Sequence, residues 1–157
     1  MELDKVFGLP AHPLLVHMPI ILIPMLTLWV IALAIKPQWR DRLAMHTAAV
    51  GVFVMLATIA AAGAGEKFQL RVGDTKLVQD HADLGNQTKV IMIVFALILV
   101  GLAVAVRRSL TQFVKPLVIL AAVAGLVTTV WVVRTGHAGA KAVWQETGKL
   151  APRADGG

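Results

Sequence analysis

Cysteine is absent from the 157-residue sequence, and this absence excludes several classes of site. The chain cannot form disulfides, thiolate metal sites, cysteine-ligated iron–sulfur clusters or thioether-attached haem. Any metal or cofactor must therefore be held by histidine, methionine, carboxylates or backbone groups. Enzyme signatures are missing too, because the sequence has no glycine-rich phosphate loop, nucleophile elbow or pair of carboxylates placed for a cleft. We therefore expect an electron carrier or an accessory subunit rather than an enzyme.

Hydrophobic residues, by contrast, are in excess. They make up 57% of the chain, with a mean hydropathy of +0.75, against about 45–50% in soluble domains. Four apolar runs at 14–35, 43–65, 90–106 and 117–133 are each long enough to cross a hydrocarbon core of roughly 30 Å. They lack the alternation of a membrane barrel. The sequence predicts an all-α, up-down-up-down four-helix bundle in the lipid bilayer, one domain over 1–157.

The net charge of +6 reflects membrane topology rather than nucleic-acid binding. Two short loops between spans carry six basic residues, namely Lys36, Arg40, Arg42, Arg107, Arg108 and Lys115. By the positive-inside rule these loops face the cytoplasm. The 66–89 loop, both termini and the 134–157 tail then lie on the outer side, with helices extending past that face. This arrangement predicts a multi-pass protein of the bacterial inner membrane, N-out and C-out.

Four of the five histidines lie at or beyond the predicted outer interface, and His17 stands out among them. It heads an otherwise apolar helix, where an ionisable side chain is a functional candidate. Pro19 and Pro24 remove backbone donors just below it, which would kink the helix and shape a pocket. The alternative is an interfacial imidazole bonded to water or to a lipid headgroup. His12 is interpreted only as the residue before a helix-opening Pro13.

Three further residues complete the candidate set. His81 lies in the middle of a covered helical face upstream of the third span, where it would point into the bundle; the alternative is a core histidine bonded to a neighbouring helix. His137 and Glu66 have ambiguous helical angles and also suit solvated positions. Bundles build metal sites from side chains on facing helices. We therefore predict an outer-face site from His17 and His81, with His137 weaker and Glu66 as an alternative metal ligand.

Several short motifs resemble one known family. They are residues 12–19 and 63–66, His81, and residues 135–140. In order and spacing they are similar, over nearly the whole chain, to the bacterial membrane proteins called domain of unknown function 2231. The family's usual opening has Phe where this chain has Met18. The resemblance implies a four-helix membrane domain without an established activity. Relatives resemble parts fused to cytochrome or Rieske-type modules, an analogy that favours electron transfer.

Three functions fit these observations. In the first, His17 and His81 ligate a b-type haem in a redox protein. Counting along the helices puts His81 about 9 Å above the interface and His17 slightly below it, which counts against a shared iron. In the second, the histidines and Glu66 bind zinc or copper.

The third function is a cofactor-free accessory subunit of a larger respiratory or photosynthetic membrane complex. The stripes of small residues on spans two and four would then be docking faces. The partners expected for these functions are other membrane proteins or outer-face redox proteins, and the chain could also form a homo-oligomer. No nucleic-acid partner is expected.

Overall fold

The computed structural model describes residues 5–6, 9–73 and 75–150. A short antiparallel strand pair, β1 (Lys5–Val6) with β2 (Leu9–Pro10), precedes the helices. The helices are α1 (Ala11–Leu15), α2 (His17–Ile35), α3 (Pro37–Val72), α4 (Lys76–Arg107) and α5 (Thr111–Leu150). Only Val16 separates α1 from α2, so together they form the first span. The predicted all-α bundle is confirmed.

Four helical stretches are long and apolar enough to cross a membrane. They are Ala11–Ile35, Pro37–Leu70, Lys76–Arg107 and Thr111–Gln145. Each is longer than the apolar run from which it was predicted, as expected for helices that continue past the hydrocarbon core. The segment 66–89, expected to connect two spans, is almost entirely helical, since α3 ends at Val72 and α4 begins at Lys76.

The helix ends follow local chemistry. Thr75 caps α4, because its hydroxyl accepts a hydrogen bond from the Val78 amide at 3.4 Å. Gly73 ends α3 with φ +94°, a conformation that side chains rarely adopt. Pro19 has no amide hydrogen to donate to the Leu15 carbonyl, and the helix is interrupted just after Leu15.

The four spans pack in a ring. The α4–α5 contact is the most extensive, followed by α3–α4, α2–α5 and α2–α3. The centre is filled by fully buried side chains such as Ile23, Val30, Val54, Met92 and Phe95. Large apolar residues such as Leu28, Phe53, Leu97 and Val130 are exposed on the outside. An apolar exterior around an apolar core is the pattern of a bundle surrounded by lipid.

Candidate functional site

Two histidines lie side by side at one end of the bundle. His12 comes from α1 and His81 from the first half of α4, and their ring centroids are 5.9 Å apart with the planes at 71°. Both side chains are half-buried. We call these two residues the histidine pair.

Each ring of the pair is bonded to the backbone of another helix. His12 Nδ1 lies 3.0 Å from the Ala61 carbonyl oxygen on α3, and His81 Nδ1 lies 2.9 Å from the Thr135 carbonyl oxygen on α5. A carbonyl oxygen can only accept, so both Nδ1 atoms must carry the hydrogen. In the neutral form of such a ring the lone pair is on Nε2, which is the form in which imidazole binds a metal. Across the described ranges, neither Nε2 has a hydrogen-bond partner.

Neighbouring side chains hold the pair in place. The Phe68 ring stacks on His12 at a centroid distance of 6.0 Å, with the planes at 21°. Behind His81, the Thr135 hydroxyl lies 2.8 Å from both the Trp131 carbonyl oxygen and the Thr88 hydroxyl, and its one hydrogen can serve only one of them. The turn of α5 that carries the accepting carbonyl is thus tied to α4 at a second point.

Among the described residues, none of the other predicted site residues joins the pair in a group that could hold a metal ion. His17 is exposed at the start of α2, where its Nδ1–H donates to the Pro13 carbonyl at 2.6 Å. His137 is exposed on α5. Glu66 is also exposed, and its carboxylate lies 3.7 Å from the ammonium of Lys89. The histidine beside His81 is His12, whereas the partner predicted from the sequence was His17.

His12 lies closer than His17 to the level of His81 along the helix axes. His12 precedes His17 by five residues, which is about 7.5 Å along a helix axis. That shift brings it to the level of His81. A second signal was also present, since Ala-Gly-Glu-Lys at 64–67 and Ala-Gly-Ala-Lys at 138–141 repeat one pattern. The carbonyl acceptors of the pair, Ala61 and Thr135, each stand three residues before this repeat.

The donor set is limited to two nitrogens. Among the described residues, no group of three or more histidine, cysteine or acidic side chains is placed to hold a metal ion. Structural zinc sites use four protein ligands and catalytic ones three. The pair alone therefore suits a group that brings most of its own ligands.

Sequence comparisons agree with the fold and leave the site unassigned. No curated protein and no solved structure matches the chain. One family model, described as "Predicted membrane protein (DUF2231)", matches residues 8–151 of the 157. Because this match covers nearly the entire sequence, the chain belongs to the DUF2231 family of membrane proteins.

Proposed function

We propose that this protein is a membrane electron carrier in which His12 and His81 would hold one b-type haem. The observation that supports this proposal is the histidine pair, two adjacent imidazoles whose Nδ1–H groups both donate to carbonyls. Both rings therefore offer Nε2 lone pairs from different helices. A bound haem would supply one-electron chemistry.

The number of ligands favours haem over zinc. A porphyrin supplies four nitrogens to its iron, so two imidazoles complete the coordination. Zinc would need at least one more protein ligand, and the described residues hold no such group around the pair. Copper(I) bound by two imidazoles is the second candidate, because soft or imidazole ligands suit it.

The spacing of the pair also suits one metal ion. Bonds from a metal to imidazole nitrogen are about 2 Å long, so two imidazoles on opposite sides of one ion have centres roughly 6 Å apart. The observed centroid distance is 5.9 Å. The spacing of the ring centres therefore matches two imidazoles bound to one metal ion.

The distribution of charge supports an orientation. Lys36, Arg40, Arg42, Arg107, Arg108 and Lys115 gather at the end opposite the pair. By the positive-inside rule that end faces the cytoplasm of a bacterial inner membrane. Both termini and the histidine pair then face outward, where membrane or outer-face redox proteins would exchange electrons with the haem.

The test is an absorption spectrum of the detergent-purified protein, oxidised and then reduced with dithionite, with metal analysis on the same sample. We expect a Soret band and sharp reduced α and β bands, lost in His12→Ala and in His81→Ala. His17→Ala and His137→Ala are the matched controls, since both side chains are exposed, whereas those of the pair are half-buried. Both controls should keep the full spectrum.

Other outcomes would redirect the assignment. Stoichiometric copper or zinc without a Soret band would replace haem with a metal ion. Absence of both, from cells supplied with haem and metals, would refute the electron carrier and favour the cofactor-free accessory subunit. Loss of the bands in His17→Ala but not in His12→Ala would restore the ligand predicted from sequence.

A further inference from the structure

Each histidine of the pair rests against a glycine one helical turn beyond the carbonyl that it binds. His12 bonds to the Ala61 carbonyl and its ring lies against Gly65, four residues later on α3. His81 bonds to the Thr135 carbonyl and its ring lies against Gly139, again four residues later on α5. The two rings thus occupy equivalent settings on two different helices.

These contacts leave no room for a side chain on either glycine. A Cβ at Gly65 would lie 2.9 Å from His12 Cε1 and 3.0 Å from its Nδ1. A Cβ at Gly139 would lie 2.9 Å from His81 Cε1 and 3.1 Å from its Nδ1. Carbon atoms pack best at about 3.5–4.0 Å, so one partner would have to move.

The imidazole is the partner that would move. Each ring ends a side chain that turns about two single bonds, whereas each glycine is fixed within a long helix. Displacing the ring lengthens its hydrogen bond to the carbonyl, because the crowded atoms include Nδ1 itself. A neutral ring released from that carbonyl can carry its hydrogen on either nitrogen.

We propose that Gly65 and Gly139 are positioning residues that hold His12 and His81 in the Nδ1–H tautomer, with Nε2 free to bind a ligand. The expected effect on haem binding rests on the proposed function, whereas the expected tautomer of the two rings does not. Groups that orient a metal-binding histidine through its second nitrogen change metal affinity or activity by about 10–100-fold when they are altered. The two glycines do not bond to the histidines themselves. They leave the space that allows each Nδ1–H to reach its carbonyl oxygen.

The first measurement uses the cofactor-free full-length protein in detergent. Imidazole ¹⁵N chemical shifts distinguish Nδ1–H from Nε2–H rings at each histidine. In the wild-type protein we expect His12 and His81 to be Nδ1–H. An Nε2–H ring at either position would overturn the proposal before any variant is made.

The variants are Gly65→Ala and Gly139→Ala, each with a matched control on its own helix. Gly63 has nothing within 4 Å of an added Cβ, and Gly136 meets only Ile20 Cδ1 at 3.9 Å. We expect Gly65→Ala to change the signals of His12 towards a mixture of tautomers, and Gly139→Ala to do so for His81. Gly63→Ala and Gly136→Ala should leave both rings unchanged.

A haem titration of the same four variants completes the test. Haem affinity should fall about 10–100-fold in Gly65→Ala and Gly139→Ala, and stay within about twofold in the controls. Unchanged tautomers in both crowded variants would overturn the positioning role even if haem binds. Altered tautomers in a protein that binds no haem would instead refute the haem proposal and leave the positioning role intact. If Gly65→Ala or Gly139→Ala fails to fold, the tautomers of His12 and His81 in the wild-type protein still test the proposal.

Discussion

The two ends of the bundle use their polar residues in opposite ways. At one end, the histidine pair donates to carbonyls of neighbouring helices and is half-buried. At the other end, which we call the basic end, the charged groups lie on the surface. Its basic residues Lys36, Arg42, Arg107, Arg108 and Lys115 are exposed, and Arg40 is partly exposed. The imidazoles at the histidine end therefore join helices, whereas the basic residues at the other end lie at the surface.

Tryptophan reinforces this difference at the basic end. Trp29 and Trp39 stack at a centroid distance of 6.1 Å, and the Lys36 ammonium lies 4.5 Å from the centre of the Trp39 ring. Trp29 also donates its indole N–H to the Thr47 hydroxyl at 3.0 Å. Tryptophan beside lysine is typical of a helix end anchored at a membrane surface. The comparison teaches that surface charge and tryptophan mark one end of the bundle, while histidines bonded to neighbouring helices mark the other.

The largest expected effect is on chemical labelling from outside the cell. In the proposed orientation a residue at one end of the bundle can be reached from outside and a residue at the other end cannot. The chain has no cysteine, so a single introduced thiol is a specific label site. Asp83 lies near His81 and Gln38 lies at the basic end, and both are exposed. In intact cells a membrane-impermeant maleimide should label Asp83→Cys and not Gln38→Cys. Lysed membranes, in which both should react, are the control, and the reverse pattern would place the histidine pair in the cytoplasm.

A smaller effect, on stability, is expected at Gly125, which lies in the middle of the bundle between its two ends. A Cβ at Gly125 would lie 2.9 Å from Thr27 Oγ1 and 3.0 Å from Phe95 Cζ, in the packed centre. Gly125→Ala should lower the stability by about 1–3 kcal/mol through overpacking, measured as a fall in Tm in detergent. Gly101→Ala is the matched control, since its Cβ would meet only Leu117 Cδ2 at 4.0 Å. An equal fall in both would show that packing at Gly125 is not special.

Sequence reasoning was successful where one physical rule dominates. The apolar runs exceed what any soluble domain tolerates, so the four-helix membrane fold follows from length and hydropathy alone. The Thr75 cap also follows from a local rule, because a threonine hydroxyl shortly after Gly73 is a signal for the start of a helix. His81 was also picked out correctly as facing a neighbouring helix, and its ring bonds to α5.

The partner of His81 could not be chosen by the same reasoning. His17 heads an otherwise apolar helix and is therefore the more costly histidine by sequence, whereas His12 is interpreted only as the residue before a helix-opening Pro13. Helical periodicity alone does not show which neighbouring helix each of these side chains meets. His17 is satisfied by its own turn, through the Pro13 carbonyl. Tertiary contacts with Ala61 and Gly65 determine the position of His12.

A third prediction measures the bond behind the histidine pair. Thr88 and Thr58 are both buried and both donate to a carbonyl of their own helix, at 2.8 Å in each case. Only Thr88 also reaches another helix, through the Thr135 hydroxyl. Thr88→Val should therefore lower the stability by about 0.6 kcal/mol more than Thr58→Val, the mean for such bonds in membrane proteins. Equal Tm values for the two variants would mean that the bond adds nothing.

The smallest effect is expected at Glu66, and it separates a surface ion pair from a metal ligand. Its carboxylate is 59% exposed and lies 3.7 Å from the Lys89 ammonium, so water and salt screen the pair. Glu66→Gln should change the stability by less than about 1 kcal/mol, and raising the ionic strength should erase even that difference. Lys76, whose ion pair with Asp80 is likewise exposed, provides the control in Lys76→Gln. If Glu66 were a metal ligand, its substitution would instead release bound zinc or copper and lower the Tm far more than Lys76→Gln does. Unchanged metal content and haem spectrum in Glu66→Gln would confine the donor set to imidazoles, as the separation of Glu66 from the histidine pair predicts.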